Sequence, residues 1–73
     1  MSELPTISGH DCIKALKKAG FYFKRQHGSH IILRKDDPFS QLFVPNHKVL
    51  DRGTLRAIIR QANMTIDDFV HLL

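Results

Sequence analysis

Apolar side chains recur along the chain with two periods, three to four residues in some segments and two residues in others. The longer period predicts helices and the shorter one predicts strands, because residues at those spacings share one face of the element. A first helix is predicted to begin at Ser8 and Gly9 and to end at Gly20. Its apolar stripe consists of Ile13, Leu16 and Ala19.

A first strand is predicted for residues 21–26, where the period changes to two. Phe21 and Phe23 alternate there with Tyr22 and Lys24, and aromatic residues favour strands. Both phenylalanines are therefore expected in the core.

Two further strands are predicted for residues 30–35 and 41–44, separated by a short turn. Ile31 and Leu33 alternate along the first of these and are expected to face the core, which leaves His30 exposed. The opposite face then carries His30, Ile32 and Arg34. With residues 21–26, these segments form an antiparallel three-stranded meander.

Two helices are predicted after the sheet. Residues 54–62 reproduce the amphipathic template in full, with Leu55, Ile58, Ile59 and Ala62. Asn63 can adopt the left-handed conformation that ends a helix, and Thr65 is a suitable N-cap for the last one. The apolar stripe of that last helix consists of Ile66, Phe69, Val70 and Leu73.

The predicted order α-β-β-β-α-α defines an α+β fold. No repeat, linker or low-complexity segment divides residues 1–73, so a single domain is expected. The helices can cover one face of the sheet and leave the other open.

Charge and cysteine content narrow the choice of partners and compartment. Eleven Lys and Arg against seven Asp and Glu give a net charge of +4 and a pI near 9.7, which favours a polyanion or an acidic protein as partner. The single cysteine, Cys12, cannot form an intramolecular disulfide. No export signal and no long apolar segment occur, so the protein is expected in the cytoplasm without a membrane association.

Residues 24–32 carry the strongest candidate chemistry, because two strands meet there at a tight turn. Lys24 and Arg25 end the first strand and can hold phosphate, and Gly28 and Ser29 let the backbone approach it. His30 opens the second strand and can act as a general base toward a ribose 2′-hydroxyl or as an acid toward the leaving oxygen. The competing interpretation of His30 is a half-exposed strand histidine without a role.

The other four histidines carry weaker hypotheses. His47 follows the third strand and could serve as a second acid or base or as a phosphate donor, although a surface-loop residue without a role fits equally well. His27 is interpreted as a turn residue, and His10 and His71 as helix-surface residues. No histidine pair has the i, i+4 spacing of helical metal ligands and no glycine-rich nucleotide loop occurs, so neither a metal nor a cofactor is expected.

These motifs together resemble the HicA family of bacterial toxins, small ribonucleases of type II toxin–antitoxin systems. The resemblance covers almost the whole chain. It rests on Ser8-Gly9, Leu16-Lys17-Lys18-Ala19-Gly20-Phe21, Arg25-Gln26 with Gly28-Ser29-His30, Val44-Pro45 with His47, Gly53-Thr54-Leu55-Arg56 with Ile59, and Asp68-Phe69.

The resemblance implies a double-stranded-RNA-binding-like α-β-β-β-α fold and metal-independent cleavage of mRNA. It implies a single catalytic histidine at His30, and His47 matches a common family position. It also implies a HicB antitoxin that occludes the active site. Substrate contacts are expected from Lys24, Arg25, Gly28, Ser29 and His47.

Two other function classes remain open from the residues themselves. The first is a non-catalytic RNA-binding module that uses the same basic groups. The second is a protein-interaction domain that docks an acidic partner. Cleavage of RNA in the presence of EDTA distinguishes the ribonuclease from both.

Overall fold

The computed structural model describes residues 3–73 and contains six elements in the order α-β-β-β-α-α. The elements are α1 (Gly9–Lys18), β1 (Tyr22–His27), β2 (His30–Asp36), β3 (Phe39–Pro45), α2 (Arg52–Gln61) and α3 (Ile66–Val70). The order of elements predicted from the sequence is confirmed. The third strand begins two residues earlier than predicted, because Phe39 and Ser40 continue the pairing with β2.

The strands form an antiparallel sheet in the order β1-β2-β3, and the helices cover one of its faces. Leu33 and Leu42 are paired at the centre of the covered face and are completely buried. The core between this face and the helices is aliphatic apart from two phenylalanines and a cysteine. It contains Leu4, Cys12, Ile13, Ala15, Leu16, Phe21, Leu33, Leu42, Val44, Leu50, Leu55, Ile58, Ile59 and Phe69. The predicted α+β architecture, with one face open, is confirmed.

The helices α2 and α3 are both capped at the N-terminus by a side chain. Asp51 Oδ2 accepts hydrogen bonds from the backbone N–H groups of Gly53 and Thr54, so α2 begins at Arg52 rather than at the predicted Thr54. Thr65 caps α3 and forms a reciprocal capping box with Asp68.

Two predicted core residues are exposed, Phe23 and Leu73, with 51% and 48% of the residue surface accessible to solvent. Both α1 and α2 pack on β3, at the far edge of the sheet from β1. Phe23 pairs with Leu33 and so belongs to the covered face, but the helix layer does not cover it. Leu73 lies beyond the end of α3, where the helical stripe no longer applies.

Gly9 shows how closely α1 approaches the sheet. A Cβ atom at Gly9 would overlap the carbonyl oxygen of Pro45, and the backbone N–H of Gly9 donates to the carbonyl of His47 at 2.9 Å. The N-terminus of α1 is thereby fixed against the chain that leaves β3. Among residues 3–73, no helix is long and apolar enough to cross a membrane.

Candidate functional site

The hairpin between β1 and β2 positions the candidate site. Its loop has only two residues, Gly28 and Ser29, and Gly28 has φ +61°, a conformation that favours glycine at this place in a tight hairpin. The Ser29 carbonyl accepts a hydrogen bond from the backbone N–H of Asn46 at 2.7 Å. The turn is therefore held against the loop that follows β3.

The two-residue loop places His27 and His30 directly opposite each other at the end of the hairpin. On its other side His30 pairs with Pro45 of β3. The interpretation of His27 as a turn residue is wrong, because His27 is the last residue of β1 and is paired with the first residue of β2.

A β-bulge at Lys24 decides which side chains of β1 share a face with His30. Phe23 pairs with Leu33 and Arg25 with Ile32, so two steps along β1 match one step along β2. Strict alternation would put Phe23 and Arg25 on the same face. The extra residue instead turns Arg25 to the open face, as bulges beside functional sites commonly do.

A shallow pocket of about 360 Å³ lies on the open face at this end of the sheet. Ile32 forms its apolar floor and is only 3% exposed, although no helix covers this face. The pocket is lined by Arg25, His27, His30, Ile32 and Phe43. Ile32 is therefore surrounded by two imidazoles, one guanidinium and one aromatic ring.

The lining of this pocket is cationic or neutral. Within the part of the chain that the structure describes, no hydrogen bond or ion pair engages the side chains of Arg25, His27 or His30. By contrast, the ring nitrogen Nδ1 of His71 lies 2.7 Å from the carbonyl oxygen of Asp67. The imidazoles of the pocket are thus available to an external ligand.

The opposite end of the open face carries a carboxylate, Asp36, as well as Arg34. Tyr22 donates its hydroxyl to Asp36 Oδ1 at 2.8 Å, and this hydrogen bond raises the pKa of Tyr22. Arg34 donates to Gln41 and lies 5.5 Å from the centroid of the Phe39 ring, so its guanidinium already has protein partners. An anionic ligand is therefore favoured at the histidine end of this face.

The structure brings together some of the predicted site residues. Arg25 and His30 line the pocket, and Gly28 and Ser29 form the adjoining turn. Lys24 is the exposed bulge residue outside the lining. His47 also lies outside it, in the exposed loop after β3. The functional roles of these residues remain predictions.

Sequence reasoning missed three residues of the pocket, His27, Ile32 and Phe43, as parts of a site. A signal existed for His27, because a two-residue hairpin loop pairs the residues that flank it. The bulge at Lys24 has no comparably clear signature in the sequence. Phe43 could be assigned to the pocket only once the register between β2 and β3 was known.

Cys12 is a nucleophilic side chain that the fold makes inert. It is buried in the core, and burial raises the pKa of its thiol to about 12. Among residues 3–73, no three His, Cys, Asp or Glu side chains cluster in a way that could hold a metal ion.

The region from α1 through α2, which includes the sheet and its hairpin, matches a known family. The family model for the HicA toxin of bacterial toxin–antitoxin systems matches residues 9–64, which is 56 of the 73 residues. The chain belongs to the HicA toxin family. Family membership assigns it to the toxin side of a toxin–antitoxin system and implies an antitoxin partner. A comparison with curated proteins gives no match.

Proposed function

We propose that this HicA-family toxin is an endoribonuclease that cleaves mRNA with His30 as a general acid or base. The observation that carries the proposal is the exposed His30 imidazole, which lines a pocket together with the unpaired guanidinium of Arg25. A group that moves protons and a group that binds phosphate thus face the same space. The proposal needs no metal ion as a reactant.

RNA supplies its own nucleophile in this mechanism. The ribose 2′-oxygen attacks the adjacent phosphorus atom, and the bond from phosphorus to the 5′-oxygen of the next nucleotide breaks. Arg25 stabilises the charge on the non-bridging oxygens, and the backbone at Gly28 and Ser29 can approach the same phosphate. General acid–base catalysis contributes about 10²- to 10⁴-fold, so alignment and charge must supply the remainder.

The pocket favours an unpaired nucleotide over a base pair. Phe43 is 52% exposed beside His30 and Arg25, and an exposed aromatic ring on a sheet can stack with a free base. Ile32 provides an apolar floor for the same nucleotide. Single-stranded or locally opened mRNA is therefore the substrate class we propose.

The antitoxin partner, which we propose to be of the HicB type, is expected to lay an acidic surface over this end of the sheet. The two free imidazoles and Arg25 offer it complementary charge. Such a partner binds the folded toxin. Antitoxin at a free concentration of 100 times the dissociation constant should therefore raise the free energy of unfolding of the toxin by about 2.7 kcal/mol. An antitoxin complex that leaves RNA cleavage undiminished would contradict this placement.

The decisive experiment measures RNA cleavage by purified His30→Ala in the presence of EDTA. We expect loss of cleavage with an unchanged circular dichroism spectrum, because His30 is exposed and its removal creates no core cavity. RNA binding should largely persist through Arg25. The matched control is His71→Ala, which removes an imidazole from the helix layer and should cleave as the wild type does.

A 2′-deoxy substitution at the scissile nucleotide supplies an independent test. It should block the wild-type protein as fully as His30→Ala does, because the proposed nucleophile is then missing. Salt-dependent RNA binding without any cleavage by the wild type would favour the non-catalytic RNA-binding module. Absence of both binding and cleavage would favour a domain that only docks a protein.

A further inference from the structure

We propose that His27 is the second acid–base group of this site and acts together with His30 across the β1–β2 hairpin. The inference rests on the proposed ribonuclease function and adds a residue to it. What points to His27 is the strand register, which pairs the two histidines directly.

The reaction itself requires two proton transfers at opposite sides of phosphorus. One group takes the proton from the 2′-hydroxyl as the new bond from the 2′-oxygen to phosphorus forms. Another group gives a proton to the 5′-oxygen as its bond to phosphorus breaks. The products are a 2′,3′-cyclic phosphate and a 5′-hydroxyl, and no oxidant or further reactant is consumed. A lone imidazole can assist only one side at a time.

The hairpin geometry suits the two imidazoles to these two roles. Directly opposed strand residues have Cβ atoms about 4.5–5.5 Å apart, close enough for both rings to contact one phosphodiester. Both histidines line the same pocket, and neither ring is engaged by another group of residues 3–73. The bulge at Lys24 is what keeps His27 on the open face together with Arg25.

Few other charged groups face His27. Arg25 lies two residues earlier on the same strand, and His30 faces it from β2. The part of β3 nearest to the pair contributes Pro45 and Phe43, which do not titrate. No carboxylate lines the pocket, since Asp36 lies at the far end of β2 and accepts the hydroxyl of Tyr22.

His47 is the rival for the second role, since it follows β3 at the same end of the sheet. Its backbone carbonyl accepts the N–H of Gly9, and its side chain does not line the pocket. The pocket lining thus favours His27 over His47 as the partner of His30.

The first experiment compares cleavage rates against pH for the wild type, His27→Ala, His27→Gln and His30→Ala. We expect a bell-shaped wild-type profile, a decrease of about 10²- to 10⁴-fold in kcat/KM for each alanine variant, and loss of one limb of the profile in each. Near-wild-type RNA binding and melting temperature would show that the folded site persists. His27→Gln covers the case in which His27→Ala fails to fold, and His71→Ala is the matched control.

A second substrate separates the acid from the base. RNA in which sulfur replaces the bridging 5′-oxygen expels a thiolate, which leaves without a proton. The variant that lacks the acid should therefore regain most of its rate on this substrate, whereas the variant that lacks the base should not. If both variants recover, or neither does, the division of roles between His27 and His30 is wrong.

The failure of this inference is distinguishable from failure of the proposed function. If His27→Ala and His27→Gln cleave within about threefold of the wild type while His30→Ala is inactive, His27 has no acid–base role and the ribonuclease remains. If His47→Ala instead removes one limb of the pH profile, His47 is the partner of His30. If the wild type itself cleaves no RNA, the proposed function fails first.

Discussion

The two faces of the sheet come from the same three strands but differ in what they present. The covered face carries Leu33, Leu42 and Val44, all completely buried beneath the helices. The open face carries the His27 and His30 pair, along with Arg34, Gln41 and two exposed phenylalanines at positions 39 and 43. One face therefore stabilises the fold, while the other is available for binding and chemistry.

Burial of a side chain on this sheet does not require a helix above it. Ile32 is 3% exposed on the open face, nearly as buried as Leu33 on the other side. Its direct partners on the neighbouring strands are Arg25 and Phe43, which line the candidate pocket with it. The apolar floor and the polar rim of the pocket therefore depend on one another.

The largest expected effect tests how far the helix cover extends. Phe21→Ala should lower the free energy of unfolding by about 3–5 kcal/mol, because Phe21 is buried in the core. Phe23→Ala should cost less than about 1 kcal/mol, because half of its side chain is already exposed. Urea unfolding of both variants measures the difference. Equal losses would show that the cover reaches β1.

The exclusion of water from the covered face can be tested with the thiol of Cys12. Its thiol pKa is raised from 9.0 to about 12 by burial, so above pH 9 the unfolded chain releases this proton more readily than the folded chain. The free energy of unfolding is therefore unaffected by titration of this thiol below pH 9 and should fall by about 4 kcal/mol between pH 9 and 12.

The measurement compares the pH dependence of unfolding free energy in the wild type and in Cys12→Ala. The wild type should lose stability more steeply over this range, and its thiol should resist a disulfide reagent until the protein unfolds. Parallel pH curves for the two proteins would show that water reaches the thiol.

A smaller effect is expected from the aromatic wall of the pocket. Phe43→Ala should weaken binding of single-stranded RNA by about 1–3 kcal/mol, which is about fivefold to 150-fold in Kd, if a base stacks on this ring. Phe39→Ala is the matched control, since Phe39 lies on the same strand and face but at the opposite end, paired with Asp36. A larger loss from Phe39→Ala would move the binding site along the sheet.

The smallest expected effect concerns the guanidinium of the open face. Arg25→Gln should reduce the slope of log Kd against log salt by about 0.7 for single-stranded RNA, the equivalent of one phosphate contact. Lys18→Gln removes a charge from α1 on the covered side and should leave the slope unchanged. Equal changes in the two variants would indicate a diffuse attraction to the whole cationic surface.

The sequence by itself determined the order of the elements and most of their faces. Periodicity was sufficient for this because burying an apolar stripe constrains each helix and strand locally. Asn63, with φ 63°, and the Thr65 cap were predictable from local backbone chemistry. His30 was predictable as an open-face residue because Ile31 and Leu33 define the other face.

Only the tertiary structure decided which residues surround His30. Alternation along β1 predicted Phe23 in the core, and strict alternation would put Arg25 on the same face, but the bulge at Lys24 separates the two side chains. The position of a bulge depends on the register of the hairpin and on the packing of the sheet. The packing of the sheet involves segments that are distant in sequence. The exposure of Phe23 likewise depends on where α1 and α2 pack on the sheet. The chain therefore encodes its candidate catalytic residue locally, whereas the pocket around that residue results from packing between elements.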